Sequence, residues 1–140
     1  MSRAEKITAI QLELQTFSTH AYLLQQQVAY KMRLYPTDFH SIHLLDRYGE
    51  MTAGKLAAHL GLTSGATTAV IDRLVVLGYI ERIPSATDRR SIVIRLRADG
   101  IQRMRNEYSS IDKQVQNELE QLSDAELKVV EHFMHVLTNS

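Results

Sequence analysis

The fold is decided by residues 56–78, which read LAAHLGLTSGATTAVIDRLVVLG. Gly61 ends one short helical pattern and Gly78 ends the next, because glycine readily takes the left-handed conformation that closes helices. Thr63 or Ser64 can cap the second helix, since a hydroxyl there accepts hydrogen bonds from free backbone N–H groups. Two short helices joined by so tight a turn are typical of a helix-turn-helix, whose second helix enters the major groove of DNA.

Helices are also predicted on the N-terminal side of this motif. Thr52 is expected to cap the first helix of the motif, residues 53–60, and Thr37 to cap a helix that runs to about Tyr48. Pro36 is expected to stop the long helix before it, since the residue before a proline disfavours helix. That long helix carries a heptad seam made of Ile7, Ile10, Leu14, Phe17, Ala21, Leu24 and Val28.

After the motif the apolar period changes from 3.6 to 2, which predicts strands. Residues 80–83 and 92–96 are β-branched runs separated by a polar tip, residues 84–91, and together they predict a hairpin. The residues that fall on one face of the second strand are Ile92, Ile94 and Leu96.

Helix is predicted again from about Ala98 to the end of the chain. Ser123 and Glu126 have the spacing of a capping box, which opens a final helix. The terminal helices carry more apolar stripe than one compact middle can cover, and this favours self-association. The stripe of the penultimate helix consists of Ile101, Met104, Tyr108, Ile111, Val115, Leu119 and Leu122.

Composition excludes several classes of protein. The 140 residues include no cysteine, which excludes a disulfide framework, a thiol nucleophile and an all-cysteine zinc site. No apolar run approaches the ~20 residues that span a bilayer, and residues 1–6 are too charged to begin a signal peptide. We therefore expect a cytoplasmic protein without membrane association.

The net charge of zero conceals an uneven distribution. Residues 47–97 hold eight basic and four acidic side chains, whereas residues 98–140 hold four basic and eight acidic ones. Polyanion binding depends on local potential, so a basic middle remains compatible with a nucleic-acid partner. Chance segregation explains the same numbers, and other evidence must decide.

The second helix of the motif has a leading face that suits DNA. Small and hydroxylic residues permit close approach, donate to phosphates and present methyl groups to thymine. Arg73, two turns into the helix, can reach a phosphate or a guanine edge. Alternatively, the hydroxyls are plain caps and the small residues are packing spacers. The candidate DNA-binding residues here are Thr63, Ser64, Gly65, Thr67, Thr68, Ala69 and Arg73.

The hairpin tip offers a second DNA-binding element. Arg89 or Arg90 can enter a minor groove, where narrow A·T-rich segments concentrate negative potential. Asp88 beside them is expected to accept hydrogen bonds from an arginine or from loop amides and so to fix the tip. An ordinary solvated turn is the alternative interpretation.

Several segments together resemble the MarR family of bacterial transcriptional regulators. The most specific is Asp-Arg-Arg at residues 88–90, preceded by Ile-Asp-Arg-Leu at 71–74 and Gly-Tyr-Ile-Glu-Arg at 78–82. The resemblance covers nearly the full length and implies a mainly α fold with a small β-hairpin wing. The other matching parts are residues 60–68, residues 92–96 and Gly100.

The resemblance also implies an architecture and an assembly. The winged helix-turn-helix DNA-binding lobe is expected at residues 37–97, flanked by dimerisation helices at 1–36 and 98–140, within one domain. The implied assembly is a homodimer that places two recognition helices on successive major grooves of a pseudo-palindromic operator in double-stranded DNA, with the wings in flanking minor grooves.

The resemblance assigns roles by position. Ser64, Gly65, Thr68 and Ala69 match base-facing residues, and Arg73 matches an arginine that contacts a phosphate or base. Asp88 matches the residue that holds a wing arginine, and Arg90 the arginine at the groove. Two features depart from the family: Arg97 stands where a threonine is frequent, and the recognition helix has few long polar side chains. The second departure favours readout of DNA shape over direct base contact.

A regulator of this kind is expected to be a non-enzyme without a cofactor, in most cases a repressor relieved by a small aromatic or anionic ligand. Candidate pocket residues are Tyr22, Tyr35, Phe39, His43 and Arg47, for which core packing is the alternative.

Two other functions remain open. The histidine pairs His40/His43 and His132/His135 make a zinc-responsive regulator conceivable, although neither pair has a third ligand at a telling distance. A helical module that binds protein would explain the terminal stripes but would leave the arginine tip without a role.

Overall fold

The computed structural model describes residues 1–140 and divides into two compact units, Met1–Met104 and Arg105–Ser140. None of its helices combines the length and apolar character needed to cross a bilayer. The elements are α1 (Arg3–Lys31), α2 (Pro36–Tyr48), β1 (Met51–Thr52), α3 (Ala53–Leu60), α4 (Ser64–Val76), β2 (Ile80–Pro84), β3 (Ile92–Leu96), α5 (Ala98–Leu119) and α6 (Asp124–Thr138).

The core of the first unit lies between α2, α3, α4 and the sheet. The apolar stripes of these short helices converge on it because each helix has one apolar face to remove from water. In α4 the buried apolar side chains are Val70, Ile71 and Leu74. The fully buried apolar side chains are Ile42, Leu56, Ile71, Leu74, Ile80 and Ile94.

The sheet has three antiparallel strands in the order β1-β3-β2. The predicted hairpin of β2 and β3 is present, with Ile80 opposite Leu96 and Pro84 opposite Ile92. β1 was not predicted, because a strand of two residues is too short to show an alternating pattern. It pairs only with Val93 and Ile94, so the hairpin extends beyond it and leaves Ile92 exposed.

The junction of α1 and α2 differs from the prediction. α1 ends at Lys31, before Pro36, and Arg33 takes a left-handed conformation with φ of 57°. Pro36 is the first residue of α2 and Tyr35 its N-cap, so Thr37 is not the cap. Proline is tolerated there because its missing N–H would have no partner within the helix.

The caps of the helix-turn-helix follow the prediction. The Thr52 hydroxyl accepts from the N–H of Lys55, and the Thr63 hydroxyl accepts from the N–H of Ala66. Gly61 is left-handed at φ 65° and closes α3.

The terminal helices bury little of their apolar surface. α1 buries only Val28 and Ala29, and α6 buries no residue. The predicted capping box of α6 is confirmed, since Ser123 and Glu126 each accept from the other's backbone N–H. The large exposed apolar side chains of α1 include Ile7, Ile10, Leu12, Phe17, Tyr22, Leu23 and Tyr30.

Candidate nucleic-acid interface

The N-terminal half of α4 presents a face of small residues to solvent. These residues follow directly on the Thr63 cap. The exposed members of this face are Ser64, Gly65, Ala66, Thr68 and Ala69.

Thr67 does not belong to that face. Its side chain is buried, and its hydroxyl donates to the backbone oxygen of Thr63 at 2.9 Å. Helical rotation places Thr67 with Val70 and Ile71 on the core side of α4. The structure therefore removes Thr67 from the predicted DNA-facing residues and gives it a packing role.

Most hydroxyls of this segment already have a partner within the helix. Thr63 accepts from the N–H of Ala66, and Thr68 donates to the backbone oxygen of Ser64 at 2.9 Å. The hydroxyl of Ser64 has no hydrogen-bond partner, so it is the donor that remains for a phosphate or a base. Thr68 keeps its exposed methyl group, which suits an apolar contact.

Gly65 serves no purpose within the fold. A Cβ placed there would have no heavy atom within 4 Å, and its backbone φ lies in the range that any residue adopts. Glycine weakens a helix relative to alanine. A glycine that the fold does not need, on an exposed helix start, is expected where another molecule approaches the backbone closely.

Arg73 is tied to a buried carboxylate. Its Nη2 lies 2.7 Å from Asp38 Oδ1 and its Nε lies 3.3 Å from Oδ2, so the guanidinium binds Asp38 through two atoms. Asp38 also accepts from the N–H of Tyr35 at 3.1 Å, and the Tyr35 ring lies 5.0 Å below the guanidinium. The hydrogen bond to Asp38 raises the pKa of Arg73 above its ordinary value.

This ion pair changes the role that the sequence suggested for Arg73. Asp38 is fully buried while the Arg73 side chain is 39% exposed, so the arginine compensates a charge that water cannot reach. We therefore assign Arg73 a structural role, which is to hold α4 against the start of α2, in place of the predicted contact with DNA. The sequence gives no sign that Asp38 pairs with Arg73, because an acidic residue in the first turn of a helix is already favoured by the helix dipole.

Asp88 organises the hairpin tip. Its Oδ1 accepts from the backbone N–H of Arg90 at 3.0 Å, and its Oδ2 accepts from the Ser91 hydroxyl at 3.2 Å. The tip is closed by Ser85, whose N–H donates to the Ser91 backbone oxygen at 2.8 Å. Asp88 thus accepts hydrogen bonds from the loop and fixes its backbone, as predicted. It holds Arg90 through the backbone amide of Arg90 and not through the guanidinium.

The two arginines at the tip differ from most other cations of residues 47–97. Arg89 and Arg90 are exposed, and neither guanidinium has an ion-pair or hydrogen-bond partner. Four of the other arginines are neutralised locally, in the pairs Arg73–Asp38, Arg82–Asp72, Arg95–Glu81 and Arg97–Asp99. The basic side chains of this region that lie outside such pairs are Arg89 and Arg90 at the tip and, in the helices, Lys55 and Arg47.

The candidate ligand residues differ in burial. Phe39 is buried in the core, the alternative kept open for it, while Tyr22, His43 and Arg47 are exposed. Tyr35 lines a cavity at the junction of α1 and α2. The other residues that line this cavity are Tyr30, Lys31, Arg33 and Leu34.

No three histidine, aspartate or glutamate side chains converge anywhere in residues 1–140 in a way that could hold a metal ion. His59 instead stacks on Tyr48 with ring centroids 5.4 Å apart, and His135 hydrogen-bonds Asn139. The zinc-responsive alternative gains no geometric support.

Comparison with known proteins agrees with this geometry. The sequence model of the MarR family matches residues 34–92. A curated relative, the uncharacterized HTH-type transcriptional regulator YcgE of Bacillus subtilis, is 42% identical over 93 residues, which are 66% of this chain and 59% of the relative. The chain therefore spans about three fifths of the length of that relative.

Solved structures share the fold. A MepR mutant from a multidrug-resistant Staphylococcus aureus clinical isolate superposes with a TM-score of 0.73 at 19% identity, over 93% of this chain and 95% of that one. A second S. aureus MepR mutant, bound to an oligodeoxyribonucleotide, superposes with a TM-score of 0.62 at 19% identity, over 93% and 96%. The predicted winged helix-turn-helix is confirmed.

Proposed function

We propose that this chain, whose residues 34–92 match the sequence model of the MarR family, is a homodimeric regulator of transcription that binds double-stranded DNA sequence-specifically. The observation that carries the proposal is the exposed start of α4, where Gly65 is unused by the fold and the Ser64 hydroxyl has no partner. A surface of this kind admits the edge of a DNA groove.

The wing supports the same function independently. Asp88 holds the loop backbone while the guanidinium groups of Arg89 and Arg90 remain without partners. An ordered loop with free cations loses little conformational entropy when it enters a minor groove. The MepR mutant of the same fold that is bound to an oligodeoxyribonucleotide is consistent with DNA binding.

The apolar surface of the terminal helices supports dimerisation. α1 and α6 leave Phe17, Phe133 and Leu137 in water, among many others, and the burial of such surface drives association. Two copies related by a twofold axis would present two α4 helices to successive major grooves, which lie about 34–36 Å apart.

The remaining parts of the proposal are a cytoplasmic location and regulation by repression, relieved when a small aromatic or anionic ligand binds. The cavity at Tyr30, Arg33 and Tyr35 supplies aromatic and cationic groups of the matching chemistry. No enzymatic role is proposed, because the curated relative with 42% identity is named as a transcriptional regulator.

Fluorescence anisotropy on labelled duplexes tests the proposal. The full chain is titrated first against random duplex DNA over a salt series and then against fragments that it selects from a random pool. A DNA reader loses affinity steeply with salt, because its cations replace condensed counterions, and it prefers the selected fragment. A salt-independent response without preference would overturn the proposal and favour a protein-binding module.

A further inference from the structure

The C-terminal end of α4 is closed by a compact turn. Gly78 is left-handed at φ 80°, its N–H donates to Val75 O, and the N–H of Tyr79 donates to Leu74 O. This is the Schellman arrangement, which satisfies carbonyls that a helix end leaves free. The carbonyl of Leu77 is served from elsewhere, by Arg103 of α5.

Arg103 fits closely onto this turn. Its Nη2 donates to Leu77 O at 3.1 Å, and its guanidinium carbon lies 4.6 Å from the centre of the Tyr79 ring. A Cβ on Gly78 would stand 3.4 Å from the same Nη2, so the guanidinium occupies the space beside a residue without a side chain. A cation at the C-terminal end of a helix is also favoured by the helix dipole.

The first turn of α5 reinforces the joint through direct backbone contact. A Cβ on Gly100 would lie 2.7 Å from Tyr79 Cα and 2.9 Å from Gly78 O, so only glycine permits this approach. The N–H of Arg97, just before α5, donates to Tyr79 O at 2.9 Å. The end of α4 and the start of α5 therefore meet with no side chain between their backbones.

We infer that Arg103 is a positioning residue for DNA reading: it locks the C-terminal end of α4 to α5, so that the recognition helix and the first turns of α5 keep one orientation. The inference rests on the proposed DNA-binding function. Arg103 is exposed and forms no ion pair with an acidic side chain, so its contribution lies in the direction of α4 and little in overall stability.

The test compares Arg103→Gln and Arg103→Lys with the unmodified full chain on the selected duplex and on random duplex. Arg103→Gln should weaken binding to the selected duplex by about tenfold, with the affinity for random DNA and the slope of affinity against salt unchanged. Arg103→Lys, which keeps a donor for Leu77 O, should recover part of the loss. Arg97→Gln is the matched control, because Arg97 is an exposed arginine that pairs with Asp99 and not with α4.

Amide hydrogen exchange provides a readout that does not depend on DNA. Arg103→Gln should speed exchange at Gly78 and Tyr79, at the C-terminal end of α4, and leave Gly61 and Leu62, in the turn before α4, unchanged. Thermal unfolding should shift by no more than about 3 °C.

Three results would overturn the inference. A loss that is equal on both duplexes, with a salt slope reduced by about one, would make Arg103 a phosphate contact. An unchanged preference for the selected duplex would leave Arg103 without a positioning role. If the unmodified chain bound neither duplex, the proposed function itself would fail, and this inference with it.

Discussion

The winged-helix lobe and the terminal helices differ in how far their apolar side chains are buried. In the lobe, α2, α3, α4 and the sheet bury theirs in a shared core that includes Ile42, Leu56 and Leu74. α1 and α6 also carry apolar residues at helical spacing, but they leave most of these in water. The lobe thus has a core of its own, whereas the terminal helices leave apolar surface exposed, which the proposed dimer would cover.

A second contrast lies inside the lobe. The guanidinium of Arg73 pairs with the buried carboxylate of Asp38, whereas the guanidinium of Arg90 has no hydrogen-bond or ion-pair partner. A charged side chain that is paired inside the chain stabilises the lobe. A charged side chain without such a pair is available to bind another molecule.

Phe17→Asp should break the dimer. Phe17 is 60% exposed on the heptad seam of α1, so the substitution spares the fold of the single chain but places a charge where a second copy would pack. We expect dimerisation to weaken by about 4 kcal/mol, close to a thousandfold. Light scattering coupled to size exclusion measures the mass, with Gln15→Asp as the control on the same helix. A dimer that survives Phe17→Asp would exclude this seam from the interface.

Arg73→Met should destabilise the lobe by about 3 kcal/mol, because the buried Asp38 carboxylate would keep only the Tyr35 amide as a partner. Urea unfolding followed by circular dichroism measures the loss. Arg82→Met is the control: its pair with Asp72 is exposed, so the change should stay below about 1 kcal/mol. Wild-type stability together with lost DNA binding would contradict the assignment and return Arg73 to the DNA-contacting residues.

Arg90→Ala should weaken DNA binding by about 1–3 kcal/mol and leave the unfolding transition in place, since its guanidinium is exposed and has no hydrogen-bond or ion-pair partner in the folded chain. Anisotropy on the selected duplex gives the affinity. Arg95→Ala, which removes a guanidinium paired with Glu81 in the same hairpin, serves as the comparison and should have the smaller effect. Equal effects of both substitutions would show that the hairpin acts only through its general charge.

Gly65→Ala should stabilise the chain by about 0.5 kcal/mol and yet weaken DNA binding. The fold has room for the methyl group, so the gain in helix propensity is unopposed until a groove comes close. Thermal unfolding and anisotropy on the same samples report both effects. An unchanged affinity would mean that no partner approaches Gly65, and the role of this face would need another explanation.

Local features of the site were predictable from sequence. Thr52, Gly61 and Thr63 act within four residues of the groups they bond, and the alternation of β2 and β3 is a property of neighbours. Predictions failed where two local preferences competed. Pro36 fits the start of a helix as well as a stop, and Thr67 carries a hydroxyl that suits DNA but stands on the core side of α4.

The order of helices and strands, the arginine-bearing tip and the apolar seams can be read from the amino-acid sequence, because these features depend on residues a few positions apart. Which charges remain without a partner depends on how the elements pack. Asp38 and Arg73 are 35 positions apart, as Leu77 and Arg103 are 26 apart, and neither partner carries a local sign of the other. Pairs of this kind form when packing brings two helices together. Packing, and not the local sequence pattern, determines which polar groups lose contact with water and must therefore be paired with another polar group.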